Sequence, residues 1–106
     1  MLTMRKKNRE TLIRNGIKEY LQYSGFFVWI EYQSQFSYKG VSDLIATKDG
    51  KTLFIEVKTE TGKQSDDQIK FQKDIEDHGG TYLLVRSIDE VDAFVKKEFG
   101  DNGLLI

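Results

Sequence analysis

Residues 40–58 read GVSDLIATKDGKTLFIEVK and carry the strongest structural signal in the chain. Within them, the Asp49-Gly50 pair separates two strand-like segments, which predicts a β-hairpin with a two-residue turn. Such a turn places Asp43 directly opposite Glu56, and opposed residues point to the same face of a sheet. Lys58 lies two residues beyond Glu56 and shares that face. The hairpin therefore predicts that two carboxylates and an ammonium group converge on one side of a sheet.

This grouping needs an explanation, because two carboxylates directly opposite each other destabilise a sheet. A divalent cation such as magnesium provides one, since it takes oxygen ligands and is often held by one or two carboxylates and water. Lys58 then lies beside the metal, where its ammonium group orients a water molecule or stabilises developing charge. The alternative is that the register slips or a bulge intervenes, so that these side chains are ordinary surface charges.

The segments on either side of the hairpin predict an α/β fold with the order α-β-β-β-α-β-α. Apolar periodicity predicts the helices, and β-branched and aromatic runs predict the strands. The predicted elements are a helix over 8–23, a strand over 26–32, a loop over 33–40, hairpin strands over 42–47 and 51–58, a helix over 66–78, a strand over 81–86 and a C-terminal helix from 88 to about 99. We expect a mixed sheet with helices on both faces.

The helix ends are marked by capping residues and glycines. Ser65 and Gln68 form a predicted capping box at the start of the second helix, and Ser87 and Glu90 form another at the start of the third. Glycines at positions 25, 79 and 80 end the first two helices. His78 is expected at the C-terminal end of the second helix.

Several apolar residues are assigned by their surroundings. Trp29 is expected in the core. Phe36 and Tyr38, in the loop before Asp43, are expected to pack in the core or at a dimer contact, a reading slightly preferred over contact with a nucleic acid strand. The C-terminal residues 104–106, Leu-Leu-Ile, are expected to dock on their own domain or on a second copy.

The composition is that of an ordinary folded chain: of 106 residues, 39% are hydrophobic and 31% are charged. We expect one domain over residues 1–106. The absence of cysteine excludes a disulfide scaffold and a thiolate metal site, and the single histidine excludes a cluster of histidine ligands. No apolar stretch approaches the roughly 20 residues of a membrane span. The basic N-terminus lacks the apolar segment of a signal peptide, so we expect a cytoplasmic protein.

Charge is unevenly distributed, although the formal net charge is only −1. In residues 1–18, Glu10 is the only acidic residue, and the basic residues are Arg5, Lys6, Lys7, Arg9, Arg14 and Lys18. Such a cluster is either an electrostatic contact for a polyanion or a solvated tail without a function. The low net charge argues against a strongly basic nucleic-acid-binding protein.

Glu10 is a candidate for a third carboxylate at the site. It precedes Ile13, Ile17 and Leu21 by three, seven and eleven residues, so it lies on the apolar face of its helix. Glu10 can therefore face the sheet. The alternative is that an acidic residue in the first helical turn is favoured by the helix dipole alone.

The hairpin segments resemble the paired motifs of a nuclease superfamily. Residues 40–45, Gly-Val-Ser-Asp-Leu-Ile, and residues 54–58, Phe-Ile-Glu-Val-Lys, look like those of the PD-(D/E)XK nucleases, and in detail like those of the VRR-NUC family. The helix with Glu10, the segment 65–68 and residues 79–91 resemble further parts of that family, so the resemblance covers nearly the whole chain. Ser42 departs from it, because the family usually has proline before this aspartate.

The resemblance implies a restriction-endonuclease-like core of order αβββαβ, similar to Holliday junction resolvases, that hydrolyses phosphodiester bonds with Mg²⁺ or Mn²⁺. The metal ligands that it implies are Asp43, Glu56, the backbone carbonyl of Val57 and, directly or through water, Glu10. It assigns activation of the attacking water to Lys58. It assigns contact with the substrate or with Lys58 to Gln68, although helix capping alone also explains Gln68.

The expected partner is DNA, with a branched structure such as a four-way junction, bound by a homodimer. The residues expected to contact it are Arg5, Lys6, Lys7, Arg9, Arg14, Lys39 and Ser65. Two alternatives stay open. One is a catalytically silent nucleic-acid-binding protein with the nuclease fold, which Ser42 mildly favours. The other is a small α/β interaction module, which the net charge favours.

Overall fold

The computed structural model describes residues 6–100. The elements in chain order are α1 (Lys6–Tyr23), β1 (Phe27–Ile30), β2 (Leu44–Lys48), β3 (Lys51–Val57), α2 (Asp66–Asp77), β4 (Thr81–Val85) and α3 (Ile88–Phe99). The predicted order is confirmed, with β1 shorter than expected and Asp43 just before β2 rather than within it. The expected docking of residues 104–106 lies outside the described residues. None of the helices in the described part is long and apolar enough to cross a membrane.

The four strands form one mixed sheet in the order β1-β2-β3-β4. The pairs β1/β2 and β2/β3 are antiparallel, and β3/β4 is parallel. The parallel pair requires a crossover, which α2 supplies. Leu44 pairs with Ile55, so the predicted hairpin register is confirmed. The turn residues Asp49 and Gly50 have φ angles of 53° and 78°, as a type I′ turn requires.

The central strand β3 divides the interior into two clusters. Its residues Leu53, Ile55 and Val57 contribute to the larger one, which also holds buried side chains of α1 and α3. Phe54, on the other face, packs with the smaller cluster formed by Val41, Phe71 and Tyr82 beneath α2. Because side chains alternate along a strand, Glu56 points to the α2 side. The Glu56 carboxylate is therefore carried by one of the two inner strands of the sheet, on its α2 side.

The helix ends show one departure from the predicted caps. The Ser65–Gln68 capping box is present, and His78 is the C-terminal cap of α2. Ser87 caps α3 by accepting a hydrogen bond from the Glu90 backbone N–H. The Glu90 carboxylate, however, accepts from the Arg86 N–H and not from Ser87. The predicted second box is therefore shifted by one residue, because Glu90 satisfies the N–H group that precedes the cap.

Three aromatic residues lie further outside than expected. Trp29 is 38% exposed and contacts Phe27, with ring centroids 5.4 Å apart. The expectation of a core position was wrong: Trp29 pairs with Ile45 on the α2 face of the sheet, but β1 is one edge strand and α2 packs on β4 at the other edge. Phe36 is 88% exposed and Tyr38 is 61% exposed, so neither is a core residue. Of these two, Tyr38 alone has a ring neighbour among the described residues, the buried Phe71 at 5.8 Å.

Candidate active site

Asp43 is fixed at the end of β2, where β3 continues beyond the last backbone pair. The carboxylate oxygen Oδ2 of Asp43 accepts a hydrogen bond from the Val57 backbone N–H at 2.9 Å. Its backbone carbonyl accepts from the Glu31 N–H at 2.8 Å. The side chain of Asp43 thus takes the place of a strand partner for β3. The hydrogen bond from Val57 therefore holds the Asp43 carboxylate beside Glu56, the residue that precedes Val57.

Glu56 is the most buried charged side chain of the site, with 2% of its surface exposed. Its Oε2 accepts a hydrogen bond from Gln68 Nε2 at 3.0 Å and lies 3.4 Å from the Lys58 ammonium nitrogen. Its Oε1 is buried and has no hydrogen-bond partner within residues 6–100. A buried carboxylate oxygen without a partner is costly, so this atom marks a position where a ligand for it is expected.

The electrostatics of the site favour a proton on Glu56 when no cation is bound. Burial, followed by the charge of the neighbouring Asp43, raises the pKa of Glu56 to about 8. Lys58 acts in the opposite direction through its charge and its hydrogen bond. The positive charge of one lysine therefore does not compensate for desolvation and for a second carboxylate.

Gln68 connects the second helix to this carboxylate. Its Oε1 accepts a hydrogen bond from the Ser65 backbone N–H at 2.9 Å. That contact orients the amide so that Nε2 points to Glu56. The two interpretations of Gln68 left open by the sequence are thus compatible, because one end of the amide caps α2 and the other contacts the site.

Asp43 lies at the junction of two clefts. One, of about 350 Å³, is lined by the loop before Asp43 and the start of α2, and includes Lys39 and Ser65. The other, of about 180 Å³, is lined by Glu10, Thr11, Arg14 and Asp43. The two clefts therefore bring Glu10 and three of the predicted nucleic-acid contacts to either side of Asp43.

Other predicted contacts are not placed at the clefts. Arg9 lies on α1 but does not line either of them. Arg5 and the side chains of Lys6 and Lys7 lie outside the described part of the chain. Within that part, no three side chains of His, Cys, Asp or Glu group closely enough to hold a metal ion by themselves. A cation here would thus depend on the carboxylate pair with backbone and solvent oxygens.

Two interactions near the site were not predicted from the sequence. Arg86 donates hydrogen bonds from Nη1 to the carbonyls of Thr59 and Gly62, the latter at 2.8 Å, and so anchors the loop that follows Lys58. The Arg14 guanidinium lies 5.9 Å from the centre of the Tyr32 ring beside the smaller cleft. Neither pair has a sequence signal, since both join segments that only the fold brings together.

Comparison with known proteins places these observations in a family. A solved structure described as a VRR_NUC domain has a TM-score of 0.73 and 24% sequence identity, and the match covers 85% of this chain and 97% of that one. It shows that the two share a fold. No curated protein matches this chain. The family model described as "VRR-NUC domain" matches residues 6–89. With that match over most of its length, the chain belongs to the VRR-NUC family and forms a domain with the nuclease fold.

Proposed function

We propose that this protein is a metal-dependent DNA endonuclease that hydrolyses phosphodiester bonds in branched DNA as a homodimer. The observation that carries the proposal is the buried carboxylate of Glu56, which lies beside Asp43 and Lys58 and whose Oε1 has no hydrogen-bond partner among residues 6–100. A stability role does not account for it, because Lys58 is one counter-ion for two adjacent carboxylates and does not offset the cost of burying Glu56 beside Asp43. A cation ligated by both would remove that cost.

The residues present fit Mg²⁺ or Mn²⁺. The available ligands are oxygens, which these hard cations prefer, and the residues that would hold the ion are Asp43, Glu56 and the Val57 carbonyl, with Glu10 reaching it through water. When bound, such an ion stabilises the negative charge that grows on the phosphoryl group and lowers the pKa of a bound water. The Val57 N–H and Gln68 keep the two carboxylates in place for this purpose.

Lys58 is positioned to act on the attacking water or on the developing charge. Its side chain is 12% exposed, and its ammonium nitrogen is 3.4 Å from Glu56 Oε2. The backbone N–H of Lys58 donates to the Val85 carbonyl at 3.0 Å, which fixes the start of the side chain at the end of β3. A fixed ammonium group in a largely desolvated site stabilises a transition-state anion more than a mobile surface lysine does.

The proposed homodimer follows from size. The longest dimension of the molecule is 42 Å, which spans about 12 base pairs at roughly 3.4 Å each. One copy therefore covers one arm of a junction, whereas two copies related by a two-fold axis match a two-fold branched substrate. Light scattering at micromolar concentration, with and without junction DNA, measures this directly. A monomer mass under both conditions would contradict the dimer.

The proposal is tested by cleavage of end-labelled four-way junction, splayed-arm, nicked and linear DNA, with Mg²⁺, Mn²⁺ or EDTA. We expect cleavage that requires both the metal and Glu56, so that Glu56→Ala is inactive.

Lys58→Ala is expected to keep manganese binding in calorimetry but to lose most turnover. If Lys58→Ala cleaves as fast as wild type, the role assigned to Lys58 is wrong. If a folded wild-type protein binds these DNAs but cleaves none, it is a silent binder.

A further inference from the structure

The loop between β1 and β2 contains a turn that is held rigidly at the edge of the larger cleft. The Ser34 backbone N–H donates to Ser37 Oγ at 2.9 Å, and the Ser37 N–H donates to the Ser34 carbonyl at 3.1 Å. The Phe36 N–H donates to Ser34 Oγ at 3.2 Å. The turn is tied to the end of β1 as well, because Ser37 Oγ donates to the Tyr32 carbonyl at 3.3 Å.

This turn presents a phenylalanine to solvent. Phe36 is 88% exposed, whereas Gln35 and Ser37 on either side of it line the cleft that also contains Asp43. Phe36 therefore belongs to the segment that forms one side of the cleft, and the described residues provide its ring with no ring partner. The four hydrogen bonds satisfy the polar groups of the turn, but they do not account for a phenylalanine at its tip, because the exposed ring buries little surface.

We propose that Phe36 stacks on an unpaired or unstacked nucleobase at the branch of the DNA substrate. This inference rests on the proposed function and names the feature of DNA that the site selects. A rigid aromatic ring is suited to this, since every base has a face on which it can stack and paired bases inside a duplex do not expose theirs. Selection then depends on the structure of the DNA and not on its sequence.

The cleft beside the turn fits the sugar-phosphate backbone of the same strand. Its lining contains three serines and three glutamines, with Lys39 as the basic residue and Asp43 and Asp67 as the acidic residues among those described. Hydroxyl, amide and ammonium donors bind phosphate and sugar without reading sequence. A base placed on Phe36 would leave its own backbone at this lining, within reach of Asp43. The stacked base thereby sets which phosphodiester reaches the carboxylates.

The inference is tested by binding in EDTA, where cleavage is absent, to junction and linear DNA of equal length. The junction carries 2-aminopurine at the branch, whose fluorescence reports stacking. The variants are Phe36→Ala, Phe36→Leu, which keeps apolar bulk without a ring, and Phe36→Trp, which keeps stacking. The matched control is Tyr23→Ala, because Tyr23 is 87% exposed and ends α1 beside the hairpin turn, at the other end of β2 from Asp43.

We expect Phe36→Ala and Phe36→Leu to bind the junction roughly tenfold more weakly and to lose the fluorescence change. Their affinity for linear DNA, the Phe36→Trp variant and the Tyr23→Ala control should match wild type. If Phe36→Ala binds every DNA like wild type, stacking is wrong while the nuclease proposal stands. An equal loss for Phe36→Ala on linear and junction DNA also overturns it. If wild type binds no DNA, both proposals fail.

Discussion

Glu56 makes the stability of the metal-free protein depend on pH. Folding raises its pKa from 4.5 to about 8, chiefly by burial, so the folded chain holds a proton that the unfolded chain releases. The stability gained from this proton is fully present below about pH 4.5, falls as the pH rises and is lost above about pH 8. We therefore expect the urea midpoint in EDTA to fall between pH 5 and pH 8.5.

The control for this pH effect is Glu56→Gln, which keeps the shape of the side chain but cannot ionise. This variant should lack that part of the pH slope. At pH 8.5 it should exceed wild type in free energy of unfolding by about 1–3 kcal/mol, the cost of an uncompensated buried group. Identical slopes for both proteins would mean that Glu56 does not hold a proton in the folded state.

Ser65 and Gln68 allow capping to be separated from the active site. Ser65→Ala removes the hydroxyl that accepts from the Gln68 N–H at 3.2 Å, which should cost about 1 kcal/mol of stability. The Ser65 backbone N–H remains and still orients the Gln68 amide, so any loss of cleavage should be well below that of Gln68→Ala. Gln68→Ala removes the contact with Glu56 and should reduce cleavage about 10- to 100-fold. A comparable loss of cleavage in both variants would show that Gln68 acts through the cap alone.

Gly40, in the loop before Asp43, packs closely against the backbone at the start of α2. Its φ is +80°, and a Cβ placed on it would lie 2.1 Å from the Asp67 carbonyl oxygen. Gly50 has nearly the same φ, +78°, but a Cβ there would meet nothing within 4 Å. Gly50→Ala should therefore cost only the left-handed backbone penalty, about 1–2 kcal/mol. Gly40→Ala carries the same backbone penalty and must also move α2. We therefore expect urea denaturation to show a loss in free energy of unfolding that is at least twice as large. Equal losses would mean that the loop moves freely.

The elements that the sequence predicts well are those whose signal is local. The Asp49-Gly50 turn sets its own backbone angles, and these set the register that places Asp43 beside Glu56. The Ser65–Gln68 box is likewise complete within four residues. The carboxylate pair could therefore be predicted before any fold was known.

The features that the sequence did not predict depend on which distant parts of the chain pack against each segment. Trp29 is a large apolar residue in an apolar strand, as core residues often are, but it lies on an edge strand where none of the described helices covers its side chain. Phe36 is apolar, yet its turn satisfies its own polar groups with serine side chains and needs no burial. Arg86 contacts carbonyls more than twenty positions away in the chain, and such a contact leaves no periodic trace.

The distribution of charge over the whole molecule matters for the proposed binding of DNA, because the net charge is only −1. Affinity for DNA would then come from a few cations placed at the clefts, while outward pairs such as Lys73–Asp77 on α2 are neutralised internally. Arg14 lines the smaller cleft beside Asp43. Each phosphate contact contributes roughly 0.9 to the slope of log affinity against log salt concentration.

Arg14→Ala is therefore expected to reduce that slope by about one, equally for junction and linear DNA, because phosphate contacts do not distinguish sequences. Lys73→Ala changes the net charge by the same amount but removes a cation that is already paired with Asp77, so its slope should match wild type. Fluorescence anisotropy in EDTA from about 50 to 200 mM salt measures both. Equal shifts in the two variants would show that overall charge, and not the cleft, attracts the DNA.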